Sequence, residues 1–111
     1  MEKPATLFEG LCGHALSLGA DSIEVDYKDG YEWVFANTGP AGFGIANYES
    51  SSAEAKELRE NLYAARKKAP RVVLSGQVYL IKVRIFQSFG EDAFKVRIEP
   101  APKADPSMAP R

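Results

Sequence analysis

SIEVDYKDGYEWVF, residues 22–35, alternates without a break through its first half: Ile23, Val25 and Tyr27 on one side, Glu24, Asp26 and Lys28 on the other. A period of two puts successive side chains on opposite faces of a strand, so one face is built for a core and one for water. Asp29-Gly30 follows, a pair suited to a two-residue hairpin turn, in which both central positions take positive φ. Tyr31 to Phe35 then resumes a strand. The hairpin is flanked on both sides by sequence of helical period, and that combination predicts an α+β domain.

Upstream, residues 7–18 read as a helix. Thr6 and Glu9 have capping-box spacing, and Leu7, Leu11, Ala15 and Leu18 recur on one face with Phe8 and Cys12 beside them. Gly10 and Gly13 weaken that helix by about 1 kcal/mol each relative to alanine, and Gly19 is a natural stop. Downstream, NTGPAGFGIANYES (residues 37–50) is glycine-rich and reads as a loop holding at most a short strand around Phe43 to Tyr48. A second helix follows. Ser51 and Glu54 are spaced as its capping box, Ala55, Leu58, Leu62 and Ala65 form its stripe, and Pro70 ends it. Glu54 and Glu57 near its start and Arg66, Lys67 and Lys68 near its end both complement the helix dipole.

From Arg71 the period returns to two. Val72 to Leu74, a Ser75-Gly76 turn, a long strand from Val78 to Gln87, the turn SFGED and a partner strand carrying Phe94, Val96 and Ile98 complete the pattern. The prediction is two helices packed on one face of a mostly antiparallel sheet of five or six strands, in the order α-β-β-(β)-α-β-β-β. Residues 1–99 form a single domain, and residues 100–111 are a proline- and alanine-rich tail without structure. At an offset of 51 residues, Phe35, Gly39, Phe43 and Ile45 fall on Phe86, Gly90, Phe94 and Val96, which raises the possibility of an ancient duplication.

Composition narrows the function classes. At 111 residues there is room for one core, and a net charge of −1 gives no global attraction to nucleic acid or to an anionic membrane. One cysteine, Cys12, excludes an intrachain disulfide and fits a reducing compartment. The opening residues MEKPATLFEG lack the apolar run of a secretory leader, and no run approaches the length of a membrane span. A cytoplasmic chain without membrane insertion is the expectation.

Candidate chemistry is sparse. Cys12 and His14 lie two apart on a helix and point to different faces, so they form no dyad. With no further cysteine or histidine, no transition-metal site is expected, and no cofactor is implied. Gly39, Gly42 and Gly44 precede a helix start, where backbone amides could receive a phosphate. They match neither a dinucleotide fingerprint nor a P-loop, however. The outward residues Lys82, Arg84, Lys95 and Arg97 put four cations on one face of the last hairpin, where they repel unless neutralised. Either Glu24, Asp26 and Glu32 of the first hairpin pair with them, or an external partner does. On the long strand only Phe86 shares that face, and the shortage of aromatics speaks against a nucleic-acid partner.

The order of elements and several residues also resemble a known family. ALSLGADSIEVDYKDGYEWVF is similar to the opening of the domain that precedes the motor in type II secretion and type IV pilus assembly ATPases. There a helix ends in Gly-Ala-Ser-Asp, a strand reads Ile-His-Ile-Glu, and a turn contains Asp-Gly. Gly19, Ala20, Asp21, Ser22, Ile23, Glu24 and Val25 echo this, with Asp and Ser exchanged and Glu24 in place of the histidine. Arg71, Gly76, Val83-Arg84, Gly90-Glu91 and Arg97-Ile98 follow in the family's order, although Val73-Leu74-Ser75-Gly76 replaces its Pro-Gln-Asp-Gly turn. The resemblance implies a domain that docks on a motor, with Arg84 and Arg97 as the positions that would face nucleotide. These residues include no phosphate-binding loop or magnesium-binding acids, so ATP hydrolysis by them alone is excluded. Two readings follow. One is a non-enzymatic protein-interaction or regulatory module, bound to a protein partner or to itself. The other is a small-ligand or nucleotide-binding domain using the Gly39–Gly44 segment and the basic face.

Overall fold

A computed structural model describes residues 6–88 and 90–101. They form α1 (Leu7–Ser17), β1 (Ser22–Lys28), β2 (Tyr31–Thr38), β3 (Ala41–Glu49), α2 (Ala53–Lys68), β4 (Arg71–Leu74), β5 (Gln77–Ser88) and β6 (Glu91–Pro100). The six strands make one antiparallel sheet in the order β3-β2-β1-β6-β5-β4. Each half is a three-strand meander, and the two are joined at the centre, where Ile23 lies opposite Val96 and Val25 opposite Phe94. The fold is α+β, in the predicted element order. The predicted tail beyond Ala101 lies outside the described residues.

Turn chemistry sets the register of both meanders. Asp29 and Gly30 have φ of 53° and 83°, and Ser75 and Gly76 have 52° and 77°, the paired positive values of a turn that matches strand twist. The first turn places Lys28 opposite Tyr31. The glycine-rich stretch is not a loop. β2 continues to Thr38, the chain turns at Gly39-Pro40, and β3 is a nine-residue edge strand. Gly42 and Gly44 lie beside β2 side chains. A Cβ on Gly42 would strike the Asn37 amide oxygen, and one on Gly44 would lie 3.9 Å from the Phe35 ring and 4.0 Å from that of Trp33. Aromatic side chains laid over an edge glycine bury backbone that the glycine itself cannot cover.

α1 is capped as its spacing predicts, with Thr6 Oγ1 accepting from the Glu9 amide at 3.0 Å. Its next exposed amides are met from α2: Leu7 N donates to the Glu57 carboxylate at 3.1 Å and Phe8 N to Asn61 Oδ1 at 3.3 Å. The cap of α2 is Ser52 rather than Ser51. Ser52 Oγ accepts from Ala55 N at 3.1 Å and donates to Glu49 O at 2.6 Å. The turn from β3 into the helix uses Ser50 and Ser51, so the cap falls one residue later. Ala69 takes a left-handed conformation after Lys68, and Pro70 follows.

Both helices cover the same face. Ile23, Val25, Val34, Ala36, Ile81, Phe94, Val96 and Ile98 of the sheet meet Cys12 and Ala15 of α1 and Leu58 and Leu62 of α2, all within 2% of full burial. Burial pushes the Cys12 thiol up to about 12, with the Glu9 charge adding to the effect; it acts as a small apolar side chain. His14 is exposed at the other side of the helix.

The repeat at offset 51 maps hairpin β2–β3 onto hairpin β5–β6, but the halves are not copies. β1 and β4 run in opposite directions, while each meander proceeds the same way across the sheet with the helices on one side. The halves therefore have opposite hand, and no rotation superposes them. Phe43 is exposed at the edge, whereas its counterpart Phe94 is fully buried at the centre.

Candidate functional site

Alternation forces a second face onto every strand. With both helices on one side, the other side of the sheet is uncovered. Across its middle run Phe35 on β2, Glu24 on β1, Lys95 on β6 and Arg84 on β5, each beside the next. One step along the strands stand Asn37, Ser22, Arg97 and Lys82; on the opposite side, past the last β1–β6 pair of Val25 with Phe94, come Trp33 beside Asp26 and Ala93 beside Phe86. The face is thus striped along its strands: aromatic on β2, acidic on β1, basic on β6 and β5.

Trp33 and Phe35 stack with ring centroids 6.3 Å apart and planes 20° from parallel. Phe86 is 39% exposed. Across from Trp33, Asp26 Oδ1 is shielded from solvent and has no hydrogen-bond partner among the described residues. A shielded carboxylate oxygen without a donor is costly.

The structure brings all four predicted cations onto this face, with Lys82 opposite Arg97 and Arg84 opposite Lys95. Their neutralisation differs from the expected pattern. The hairpins do lie side by side, but Glu99 of β6 itself supplies the charge, at 3.3 Å from Lys82 Nζ and 3.4 Å from Arg97 Nε. Glu24 stands across from Lys95 on the neighbouring strand. Among the described residues, however, neither Glu24 nor Asp26 is within ion-pair distance of a cation, and Arg84 and Lys95 have no acid partner. Arg84, Lys95 and Arg97 line a depression of about 370 Å³ that also takes in Ser22 and Glu99.

Gly39, Gly42 and Gly44 lie elsewhere. They occupy the turn into β3 and its first residues, at the end of that strand away from α2, so no glycine amide is placed at the helix N-terminus. Gly42 and Gly44 sit three strands from Arg97 and Lys95, roughly 14 Å at ordinary strand spacing. The glycine segment and the basic stripe do not form one site.

Glu32 faces the helices, not the cations. It is 4% exposed; Ser50 Oγ donates to it at 2.7 Å and Arg59 Nη1 of α2 stands 3.5 Å away. Arg59 also donates to the Ser50 carbonyl at 3.3 Å. Nearby, Asp92 accepts from the Tyr63 hydroxyl and the Gln87 amide. The Asp92 bond holds the Tyr63 proton, and with partial burial it raises that phenol above 10.0. These groups border a cavity of about 450 Å³ at one end of the helix layer. Every polar group named here meets another, and the set ties α2 to β2 and β6.

The inward Glu32 and the outward Trp33 and Phe35 escape a reading based on hydrophobicity, which sends aromatics inward. The signal lies in the turn. A two-residue turn at Asp29-Gly30 puts Lys28 and Tyr31 on the same face. Lys28 shares the charged face with Glu24 and Asp26, so Tyr31, Trp33 and Phe35 must share it too.

Among the described residues, no group of three or more His, Cys, Asp or Glu side chains could hold a metal ion, and no helix is long and apolar enough to cross a membrane. No protein-family model matches the chain, and no curated protein is significantly similar to it.

Proposed function

We propose that this chain is a non-enzymatic interaction module that binds a protein through the uncovered face of its sheet. The observation that carries this reading is the juxtaposition, on one rigid face, of partly exposed aromatics with cations that lack an acid partner and a carboxylate oxygen that lacks a donor. Tryptophan, other aromatics and arginine are the residues that dominate binding energy when a partner desolvates them. The partner supplies an acid to Lys95 and an acid or an aromatic ring to Arg84. The resemblance to the domain preceding secretion and pilus ATPase motors points the same way, toward a docking module linked to such assemblies with Arg84 and Arg97 in the contact.

Nucleic acid fits less well. Trp33 and Phe35 put aromatics on this face after all, but Glu24 and Asp26 run down the strand between that pair and the cations. A phosphate backbone crossing the face would meet that acidic stripe. A small anion is the second reading, favoured by the convergence of Arg84, Lys95 and Arg97 on one depression. Polyphosphate titrated to millimolar concentration while amide shifts are followed separates the two. Shifts confined to residues around that depression would indicate the anion.

The interaction itself is tested by a photo-crosslinking amino acid placed in cells at Phe86, with Leu18 as control. Leu18 is 43% exposed and lies at the end of α1. The expected result is a protein adduct from the Phe86 position alone, lost in Arg84→Glu. No adduct at Phe86, or equal adducts at both positions, overturns the proposal.

A further inference from the structure

The stripes on the uncovered face are complementary to themselves. A twofold axis laid parallel to the strands, over the seam between β1 and β6, exchanges left and right and keeps height along the strands. It sets β1 of a second copy over β6 of the first, and β2 over β5. Because Glu24 and Lys95 are at one height, Glu24 of each copy then lies over Lys95 of the other. Phe35 lies over Arg84 and Trp33 over Phe86, as their shared rows require. The alternative axis, perpendicular to the strands, stacks β1 on β1 and β6 on β6, acid on acid and cation on cation. The charge pattern selects the first axis.

We infer that the partner of this face is a second copy of the same chain, docked sheet to sheet about that axis; this rests on the reading of the face as a protein-binding surface. Sheets packed face to face stand about 10 Å apart, a gap that a lysine and a glutamate reaching toward each other span. The arrangement accounts for the two cations of this face that lack an acid in the single chain. Lys95 gains the acid it lacks, and Arg84 gains an aromatic ring, a favourable partner for guanidinium. Trp33 and Phe86 of opposite copies bury each other on either side of the charged centre. The interface is isologous, each contact occurring twice, as a closed twofold dimer requires.

Charge exchange tests this directly, because the two halves of the contact lie on different copies. The wild-type chain at about 100 µM is expected to sediment as a dimer of 12.2 kDa chains. E24K and K95E each place like charges across the interface, and each should raise the dimer dissociation constant at least tenfold. An equimolar mixture of the two variants should form a heterodimer. The lysine introduced by E24K then meets the glutamate introduced by K95E, and the second contact keeps its native pair. The double variant E24K/K95E should dimerise with itself. Positions 24 and 95 are also neighbours within one chain, and an intrachain role alone predicts no rescue on mixing. Thermal melts show whether the single variants are folded; if either is not, E24Q and K95Q, which put no like charges side by side within one chain, replace them, and each should still weaken the dimer. A wild-type monomer, or no rescue in the mixture of folded variants and in the double variant, overturns the dimer. A wild-type monomer with a persistent Phe86 adduct to a different protein leaves the binding face standing and removes only the second copy, whereas loss of both removes both.

Discussion

On β1, Ile23 and Val25 are each 1% exposed, and between and beyond them Glu24 and Asp26 stand on the opposite face. The same contrast holds on β6, where Phe94 and Val96 are fully buried while Lys95 and Arg97 are exposed. One face is closed by two helices, and its residues find their partners inside the chain. The other is assembled by the same strands in the same register, yet its aromatics are half-covered, two cations lack acids and one carboxylate oxygen lacks a donor. The covered face accounts for the fold. The uncovered face is more specific in its chemistry than folding alone demands, because a face that needs only to be wet is satisfied by scattered polar residues.

That comparison breaks most visibly at Phe94. Its ring is fully buried and meets Tyr63 edge-on, with centroids 5.2 Å apart. Phe94→Ala is expected to cost about 3–5 kcal/mol, a large share of the roughly 5–15 kcal/mol that holds such a domain together. Urea denaturation measures it. A loss under about 1 kcal/mol would mean that the covered face is not close-packed around this residue.

How much of this the residues disclose depends on range. Elements show plainly where the cause is local: the alternation of Ser22 to Lys28, the cap at Thr6, the turn at Asp29-Gly30 and the stripe of α2 each lie within a few residues. β3 does not show. Its extent from Ala41 is set by pairing with β2, and strand pairing is invisible to a local pattern. The meeting of β1 with β6, which builds the striped face, joins residues 69 to 75 positions apart. The cations are visible because they alternate within one hairpin. The acidic stripe shows in the alternation of Ser22 to Lys28, and the aromatic one follows from the turn at Asp29-Gly30; only their place beside the cations depends on that central pairing.

Glu32 is the exception on the covered face and gives the intermediate effect. It is a nearly buried charge that the helix layer satisfies through Ser50 and Arg59. Glu32→Ala strands the Ser50 hydroxyl and leaves the guanidinium unpaired, and should cost about 1–3 kcal/mol. The Arg59 side chain is 34% exposed, so water takes up part of the loss and keeps the effect away from the upper end of buried-pair values. Glu32→Gln keeps an acceptor for Ser50 and should recover roughly half in the same denaturation series. If Gln is no better than Ala, the ion pair and not the hydrogen bond holds this corner of α2.

The smallest expected effect is also the one whose sign matters. Arg84 is exposed, has no acid partner among the described residues, and stands directly across from Lys95. Like charges facing each other across strands are unfavourable, so within a single chain Arg84→Ser should leave stability unchanged or raise it by a few tenths of a kcal/mol. Measured on dilute protein, where any self-association is suppressed, this gain should shrink as salt is added, because about 1 M salt screens charges over roughly 3 Å. The same substitution should weaken whatever interaction the face makes, since it removes a cation that only a partner can satisfy. Stability and binding then move in opposite directions, a combination that a residue kept for folding cannot produce. Should Arg84→Ser instead cost more than about 1 kcal/mol in the dilute chain, Arg84 belongs to the fold and the division between the two faces fails at that position.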